Sequence, residues 1–471
     1  MAKMNRRHFL QAGAATGFLA GTGVLSTLTS GKAFAASTSG YKALVCIFLK
    51  GGMDHADTVF PRDVASYDLL AKARPGLFGA YGSGGSRDRS NLLPINPTNA
   101  ANFGSRQYGL PSQLAGFQSM FEAGEMAIVG NVGPLIQPTT RPDLEKATFS
   151  LPPRLFSHND QQSTWMSLGV EGAQYGWGGA FADAAIRSNS TMNPLYAMVS
   201  AGPNDVFLSG TEASQFTTSF AGAQQVKLVD DIYTLGGESK YDAARRALDD
   251  YVAKASFSED NLYARDYISQ SGNAVINNNA YDAALSGKPG LTATFPASYT
   301  ANQLASVART ISIRDALNVK RQVFYVFMGD FDTHSGQAGQ IPSRHTELSE
   351  AVSAFRTEMI NQGVWNDVTL FTMSEFGRTT IDNGDGTDHG WGGHHFVAGG
   401  SVVGQKIYGD IPTPDLDSDT FTSTHGRLIP KVSVEQYAAT LGSWFGLDSG
   451  ELSAALPNLS NFTEKNLGFL T

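Results

Sequence analysis

Acids and imidazoles gather in residues 368–400 of this chain, VTLFTMSEFGRTTIDNGDGTDHGWGGHHFVAGG. A short apolar run with Val368, Leu370 and Phe371 reads as a buried strand, and Glu375 stands at its end. A Gly- and Asp-rich loop then holds Asp388, His389, His394 and His395 within eight residues, so three of the chain's nine histidines sit beside an acid. Two further apolar runs deliver polar groups in the same way. Residues 43–49 lead through Lys50-Gly51-Gly52 to Asp54, and residues 323–328 lead to Asp332 and His334, with Asp330 beside them. Mixed carboxylate and imidazole ligands suit zinc, manganese or iron. A pair of such ions can clamp a phosphoryl or sulfuryl oxygen while activating a nucleophile. The candidate metal ligands are therefore Asp54, Asp332, His334, Glu375, Asp388 and His389. Singly, an Asp-x-His or Asp-His pair is ordinary turn chemistry, and the joint placement at strand ends is what points to a divalent ion, zinc or manganese.

The elements that must position these groups follow from hydrophobic pattern. The run 43–49 is apolar without alternation, as expected of a central strand covered on both faces. Residues 126–132 and 323–328 read alike. Helical pattern falls at 114–123, 161–168, 343–362 and onward from Ala301, so helices alternate with strands as parallel crossover connections require. In the 343–362 helix, Leu348, Val352, Phe355 and Met359 form one stripe, and Gly363 supplies the stop. Residues 172–185 read as a turn with a small helix, 192–208 as two short strands, and 67–103 as a surface excursion. Residues 210–300 read as a mostly helical insertion capping the sheet, with a helical patch at 241–253. Ser433 and Gln436 have capping-box spacing ahead of a helix through Phe445. The expected fold class is α/β, a doubly wound, mainly parallel sheet that presents side chains at its carboxyl edge.

Several other residues have two readings. Ser157, ahead of the 161–168 helix, is placed for an N-cap or for a nucleophile at a helix N-terminus, with Ser163 and Thr164 behind it. Arg378 either grips an anionic oxygen as a bidentate donor or pairs with Glu375. His55 and His158 read as groups supporting the ligands, His345 as solvated on its helix, and His425 as a loop residue and a remote ligand candidate. Trp177 and Trp391 read as packing. The single cysteine, Cys46, lies inside an apolar strand, so no internal disulfide forms and a buried small hydrophobe is the expected role.

The formal net charge is −9, and the first 35 residues carry four basic residues and no acid, so their removal would deepen it to −13. Nucleic acid is excluded as the expected partner, because neutralising phosphates requires a basic face. Those 35 residues place Arg6-Arg7 ahead of a glycine-diluted apolar segment and end in Ala33-Phe34-Ala35. The pattern resembles a twin-arginine export signal. The resemblance implies passage of the folded protein through the twin-arginine export machinery to the periplasm or beyond, with residues 36–471 as the mature domain. No stable membrane anchor is expected.

The runs LVCIFLKGGMDHADTVFP, FSHNDQQ, GDFDTHSGQ, TLFTMSEFGRT, GTDHGWGGHHFVAGG and GRLIPKVSVEQYAATLGSWFG together resemble the exported bacterial family called domain of unknown function 1501. That family is in turn similar to the alkaline phosphatase and sulfatase superfamily. The resemblance implies that superfamily's sheet with metal ligands at strand ends, Asp54 as first-strand ligand, Asp332 with His334 as its Asp-and-His loop, and Asp388 with His389 as its Asp-His pair. The chain departs from the pattern at Ser374-Glu375-Phe376, where the superfamily has Ser-Asp-His, and it lacks the usual nucleophile signature. The implied activity is metal-dependent hydrolysis of a small phosphate or sulfate ester, with Ser157 and Arg378 as the catalytic candidates. The alternative is a non-catalytic, metal-stabilised binding or assembly protein of the cell envelope.

Overall fold

The computed structural model describes residues 37–212, 214–224 and 261–471, with Arg246, Ala247 and Asp250 between. The segment read as an export signal and the helical patch expected at 241–253, apart from those three residues, lie outside the described residues.

The strands in chain order are β1 (Lys42–Leu49), β2 (Phe60–Pro61), β3 (Leu93–Ile95), β4 (Tyr108–Leu110), β5 (Met126–Gly133), β6 (Met198–Ser200), β7 (Phe216–Ser219) and β8 (Gly222–Ala223). There follow β9 (Arg321–Met328), β10 (Val368–Met373), β11 (Arg378–Asp382), β12 (Thr387–His389), β13 (Gly393–Gly399), β14 (Lys406–Gly409) and β15 (Val432–Ser433). Ten of them form one sheet in the order β14-β5-β13-β10-β1-β9-β6-β7-β8, with β15 also on β5. The central strands lie parallel and are buried along their length, which is why their sequences are apolar without alternation. The chain is thus an α/β protein with a mostly parallel sheet. The helices Ala115–Glu122, Tyr299–Ser312 and Gln337–Asn361 pack together as one layer, and Trp177–Ser188, Val434–Phe445 and Ser449–Ala455 as another.

Register brings the chemistry to one edge. Leu49 of β1 pairs with Met328 of β9, and Phe48 pairs with Met373 of β10, so all three strands end at one level. The residues just beyond them, Gly51, Asp332 and Glu375, emerge together. β13 runs antiparallel between β10 and β5, so its amino end lies at that same edge. The antiparallel ribbon β11–β12, which spans the gap from β10 to β13, is therefore built over this edge.

Three expectations need correction. The segment 67–103 is more than a surface excursion: it holds the helices Val64–Ala73 and Pro75–Tyr81 and buries Arg74 and Arg87. Residues 192–208 form one short strand and two 3-10 turns, because Pro194 and the Asp205 cap favour turns over pairing. The helix expected at 343–362 starts six residues earlier, at Gln337, and carries Pro342 inside it. Within residues 210–300, read as an insertion, the described part includes the β7–β8 hairpin at the sheet edge as well as the helix Leu262–Ser286. The capping box at Ser433 and Gln436 is formed in full.

Candidate metal centre

Asp332 is the hub of the edge. It follows Asp330, whose φ of 70° is in the left-handed region that a non-glycine residue enters only under constraint. Gly51 packs against it so closely that a Cβ there would lie 2.2 Å from the Asp332 amide nitrogen, so this turn accepts only glycine. Gly386 does the same for the next ligand candidate, since a Cβ on it would lie 2.4 Å from the His334 carbonyl carbon. The Arg378 guanidinium, fully buried, donates to Asp332 Oδ1 at 2.8 Å and to the Gly51 carbonyl at 2.9 Å.

Three imidazoles converge on Asp332, each fixed from behind. His158 Nδ1 lies 2.8 Å from Glu375 Oε1, His334 Nδ1 lies 3.1 Å from Asp388 Oδ1, and His389 Nδ1 lies 2.7 Å from the Phe156 carbonyl. Each of those partners is an acceptor, so each Nδ1 carries the hydrogen and a neutral ring keeps a lone pair on Nε2. The Nε2 atoms point inward. His158 Nε2 is 3.3 Å from Asp332 Oδ2, while His334 Nε2 and His389 Nε2 are 3.2 and 3.4 Å from Oδ1 and 2.9 Å from each other. Acceptors thus face acceptors, an arrangement that is repulsive until a proton or a cation enters it.

These separations match the donor set of a divalent ion. Ligand atoms held about 2.0 Å from a tetrahedral metal stand roughly 3.3 Å apart. Asp332 Oδ1, His334 Nε2 and His389 Nε2 form such a triangle, and His158, Asp332 and His389 each offer an atom within 4.8 Å of the others'. The carboxylate or carbonyl behind each imidazole is the arrangement that fixes tautomer and ring orientation in metal sites. The side chains of Asp332 and His334 are 44% and 46% exposed, so one side of the group faces solvent.

The electrostatics favour charged carboxylates here. Burial opposes ionisation of Asp332, but Arg378, His158 and His334 hold its carboxyl below the usual range. Burial likewise opposes ionisation of Asp388, and hydrogen bonds from Asn383 and His334 overcome it. The bond to Glu375 raises His158, whereas burial lowers His389 despite its bond to Phe156. Protons and metal therefore compete for the same lone pairs.

Of the six expected ligands, Asp332, His334 and His389 lie together at the centre, and Asp388 stands directly behind His334. Glu375 is in the group but faces away from the open side. It is fully buried, with Oε1 accepting from the Gly51 amide at 2.9 Å and from His158, a geometry that braces the His158 ring from behind. Asp54 belongs to a different cluster. Its oxygens take a bidentate bond from Arg74 at 2.7 and 2.9 Å and a bond from Gln337 Nε2 at 2.7 Å, and they cap the Ala56 amide, leaving no free edge for a metal. Arg378 pairs with Asp332, not with Glu375, and its Nε and second terminal nitrogen are bound to Thr387, so its fork faces inward. Ser157 occupies the N-cap position of the helix His158–Ser167 without capping through its side chain, and its hydroxyl donates to Asp160 Oδ2 at 2.7 Å.

The remaining histidines divide by burial. His394 and His395 are buried in β13, held by the Asn131 amide and Thr372. His345, expected to be solvated, is 1% exposed beside Arg87. Its spacing with Leu348, Val352 and Phe355 continues the apolar stripe, and that was the available signal. His158 is the ligand candidate that sequence reasoning placed in a supporting role. The only hint was its position at a helix start, since its orienting Glu375 is 217 positions away.

The fold and this cluster together define an α/β protein with an imidazole-rich, carboxylate-centred group at the carboxyl edge of its sheet. Residues 41–458 match the family described as Protein of unknown function (DUF1501), and the chain belongs to that family. No curated protein matches it in sequence. Among solved structures it is similar to Ps i-CgsB in complex with k-i-k-neocarrahexaose, at 10% identity over 88% of this chain and 74% of that one, TM-score 0.33. It is also similar to the lipoteichoic acid synthase LtaP from Listeria monocytogenes, at 9% identity over 87% and 73%, TM-score 0.31. A third likeness is to BT1596, a 2-O GAG sulfatase, at 9% identity over 87% and 71%, TM-score 0.33. Likeness at this level says nothing of what this chain binds or does.

Proposed function

We propose that this protein is an exported, metal-dependent hydrolase of small phosphate or sulfate esters, with His158, Asp332, His334 and His389 as the metal ligands. The observation that carries the reading is the convergence of three Nε2 lone pairs on one carboxylate. A set rich in imidazole favours zinc, with manganese next. The open side supports a catalytic over a purely structural ion, because structural sites close their coordination with protein ligands. When bound, a divalent ion supplies Lewis acidity that polarises an ester oxygen and lowers the pKa of water.

The chain's own groups hold this arrangement. Glu375, Asp388 and the Phe156 carbonyl fix the three rings, and Arg378 fixes Asp332. Ser157 is the proposed nucleophile, adjoining His158 at a helix start, with Asp160 accepting its hydroxyl proton's hydrogen bond. The family resemblance and the twin-arginine-like pattern of the first 35 residues support a periplasmic or secreted location. No described helix is long and apolar enough to cross a membrane.

The test is metal analysis of the mature protein, combined with a panel of phosphate and sulfate esters. Stoichiometric zinc or manganese, turnover of an ester, and loss of turnover but not of metal in Ser157→Ala are expected. Stoichiometric metal with no turnover of any ester would favour the metal-stabilised envelope protein instead, and absence of metal binding would remove both.

A further inference from the structure

Arg427 is a half-buried cation at this edge that keeps a donor free for a ligand. Its Nε donates to the His389 carbonyl at 2.8 Å, its guanidinium lies 4.1 Å from the Phe156 ring centroid, and one terminal nitrogen is 3.4 Å from His425 Nδ1. The other terminal nitrogen has no hydrogen-bond partner among the described residues, and the side chain is half-buried. Arg378, by contrast, is fully buried and spends its donors on Thr387, Gly51 and Asp332. Arg427 is also anchored to the two residues that set His389, namely His389 itself and Phe156. Two non-glycine residues beside it hold left-handed backbone, His425 at φ 63° and Phe156 at φ 73°. Strain of that kind persists where surrounding structure over-determines a position.

Resting on the hydrolase reading above, we propose that Arg427 is the oxyanion-binding residue of the site, its free edge holding a phosphoryl or sulfuryl group beside the metal ligands. A planar fork already fixed by stacking and by a backbone carbonyl loses little freedom on gripping an oxyanion. It also adds positive charge next to the exposed acids Asp330, Asp332 and Asp388. The anion selected is one that offers two oxygens in a plane, which phosphate and sulfate monoesters share.

The experiment is calorimetric titration of inorganic phosphate, and separately of sulfate, into wild type, Arg427→Ala and Arg427→Lys, each with zinc and in chelator. Zinc affinity is measured for all three. At least one anion should bind the zinc-loaded wild type, about tenfold or more weaker in Arg427→Ala and intermediate in Arg427→Lys, with zinc affinity unchanged within about threefold. Whichever anion shows the larger dependence identifies the ester class. Equal anion affinity in wild type and Arg427→Ala, or no binding of either anion, overturns the proposal. So does a parallel loss of zinc and anion, which would make Arg427 a staple of the His389 loop. Arg427-dependent anion binding in a wild type that takes up no zinc would support the arginine and sink the metal reading.

Discussion

Two clusters rich in acid and imidazole lie on either side of Gln337, and they differ in how their donors and acceptors balance. In the inner one, Asp54 pairs with Arg74, and Asp57 pairs with Arg87 at 2.7 Å, while His345 Nδ1 lies 3.2 Å from Arg87. Gln337 Nε2 bridges the two carboxylates at 2.7 and 3.2 Å. Two cations meet two anions and each acceptor has a donor, so nothing further is required. In the outer cluster at the sheet edge, one guanidinium faces Asp332, and three Nε2 lone pairs have only that carboxylate and one another. The two are joined by a chain in which Thr387 donates to Gln337 Oε1 at 2.8 Å and receives Arg378 Nε at 3.2 Å. Similar residue types therefore make a satisfied ion network in one place and a candidate ligand set with unpaired acceptors in the other. The count of donors, not the presence of Asp and His, separates them.

The largest separation expected is in metal affinity. Asp332→Asn removes the one carboxylate at the centre and should cost at least about 100-fold in zinc affinity, while Asp54→Asn should leave it within a few-fold. Competition titration against a chromophoric chelator measures both. Equal losses in the two variants would mean that the clusters act as one site.

Stability should divide the other way. Asp54→Ala leaves the Arg74 guanidinium buried without its anion, a change that costs about 3–5 kcal/mol. Asp332→Ala also takes the paired carboxylate from a buried guanidinium, that of Arg378, but Asp332 itself is half-exposed and its loss lets water reach the freed nitrogen, so it should cost the metal-free protein less than Asp54→Ala. Urea unfolding in chelator compares them, and a larger loss for Asp332→Ala would reverse the assignment of roles. A smaller effect is expected at the boundary. Glu375→Gln keeps the volume but weakens the hold on His158 Nδ1, so zinc affinity should fall about 10- to 100-fold. A loss as complete as that of Asp332→Asn would make Glu375 a ligand after all.

The sheet was readable because burial writes itself into sequence. Runs such as 43–49 and 323–328 are apolar throughout, and their polar sequels mark the carboxyl edge. Asp332, His334, Asp388 and His389 could be picked out for that reason. What decides between a ligand and a salt-bridge partner is a contact with a residue far along the chain. Asp54 reads as a strand-end acid, and nothing local announces Arg74 at a junction between two helices 20 residues on or Gln337 some 283 residues on. Glu375 reads as a ligand until Gly51 and His158 are seen to occupy it. Arg427 carried no signal, since its value lies in the carbonyl of His389, 38 residues upstream, and the ring of Phe156.

Acid should expose the contrast most finely. Burial holds His55, next to Asp54, down at about 4 and His395 down at about 3, so both are neutral in the folded chain. In the unfolded chain an imidazole titrates near 6.5, so below that pH the unfolded state binds more protons and stability falls as pH falls. The contribution of His55 is fully present above pH 6.5 and is lost as pH falls toward 4. Between pH 6.5 and 5.5 that loss is about 1 kcal/mol for His55 alone. Zinc should leave the outer cluster as its imidazoles protonate, so the measurement is made in chelator, by urea unfolding at pH 7.5, 6.5 and 5.5. His55→Gln should flatten the slope by about that amount. An unchanged slope in His55→Gln would place the acid sensitivity elsewhere than in this buried imidazole.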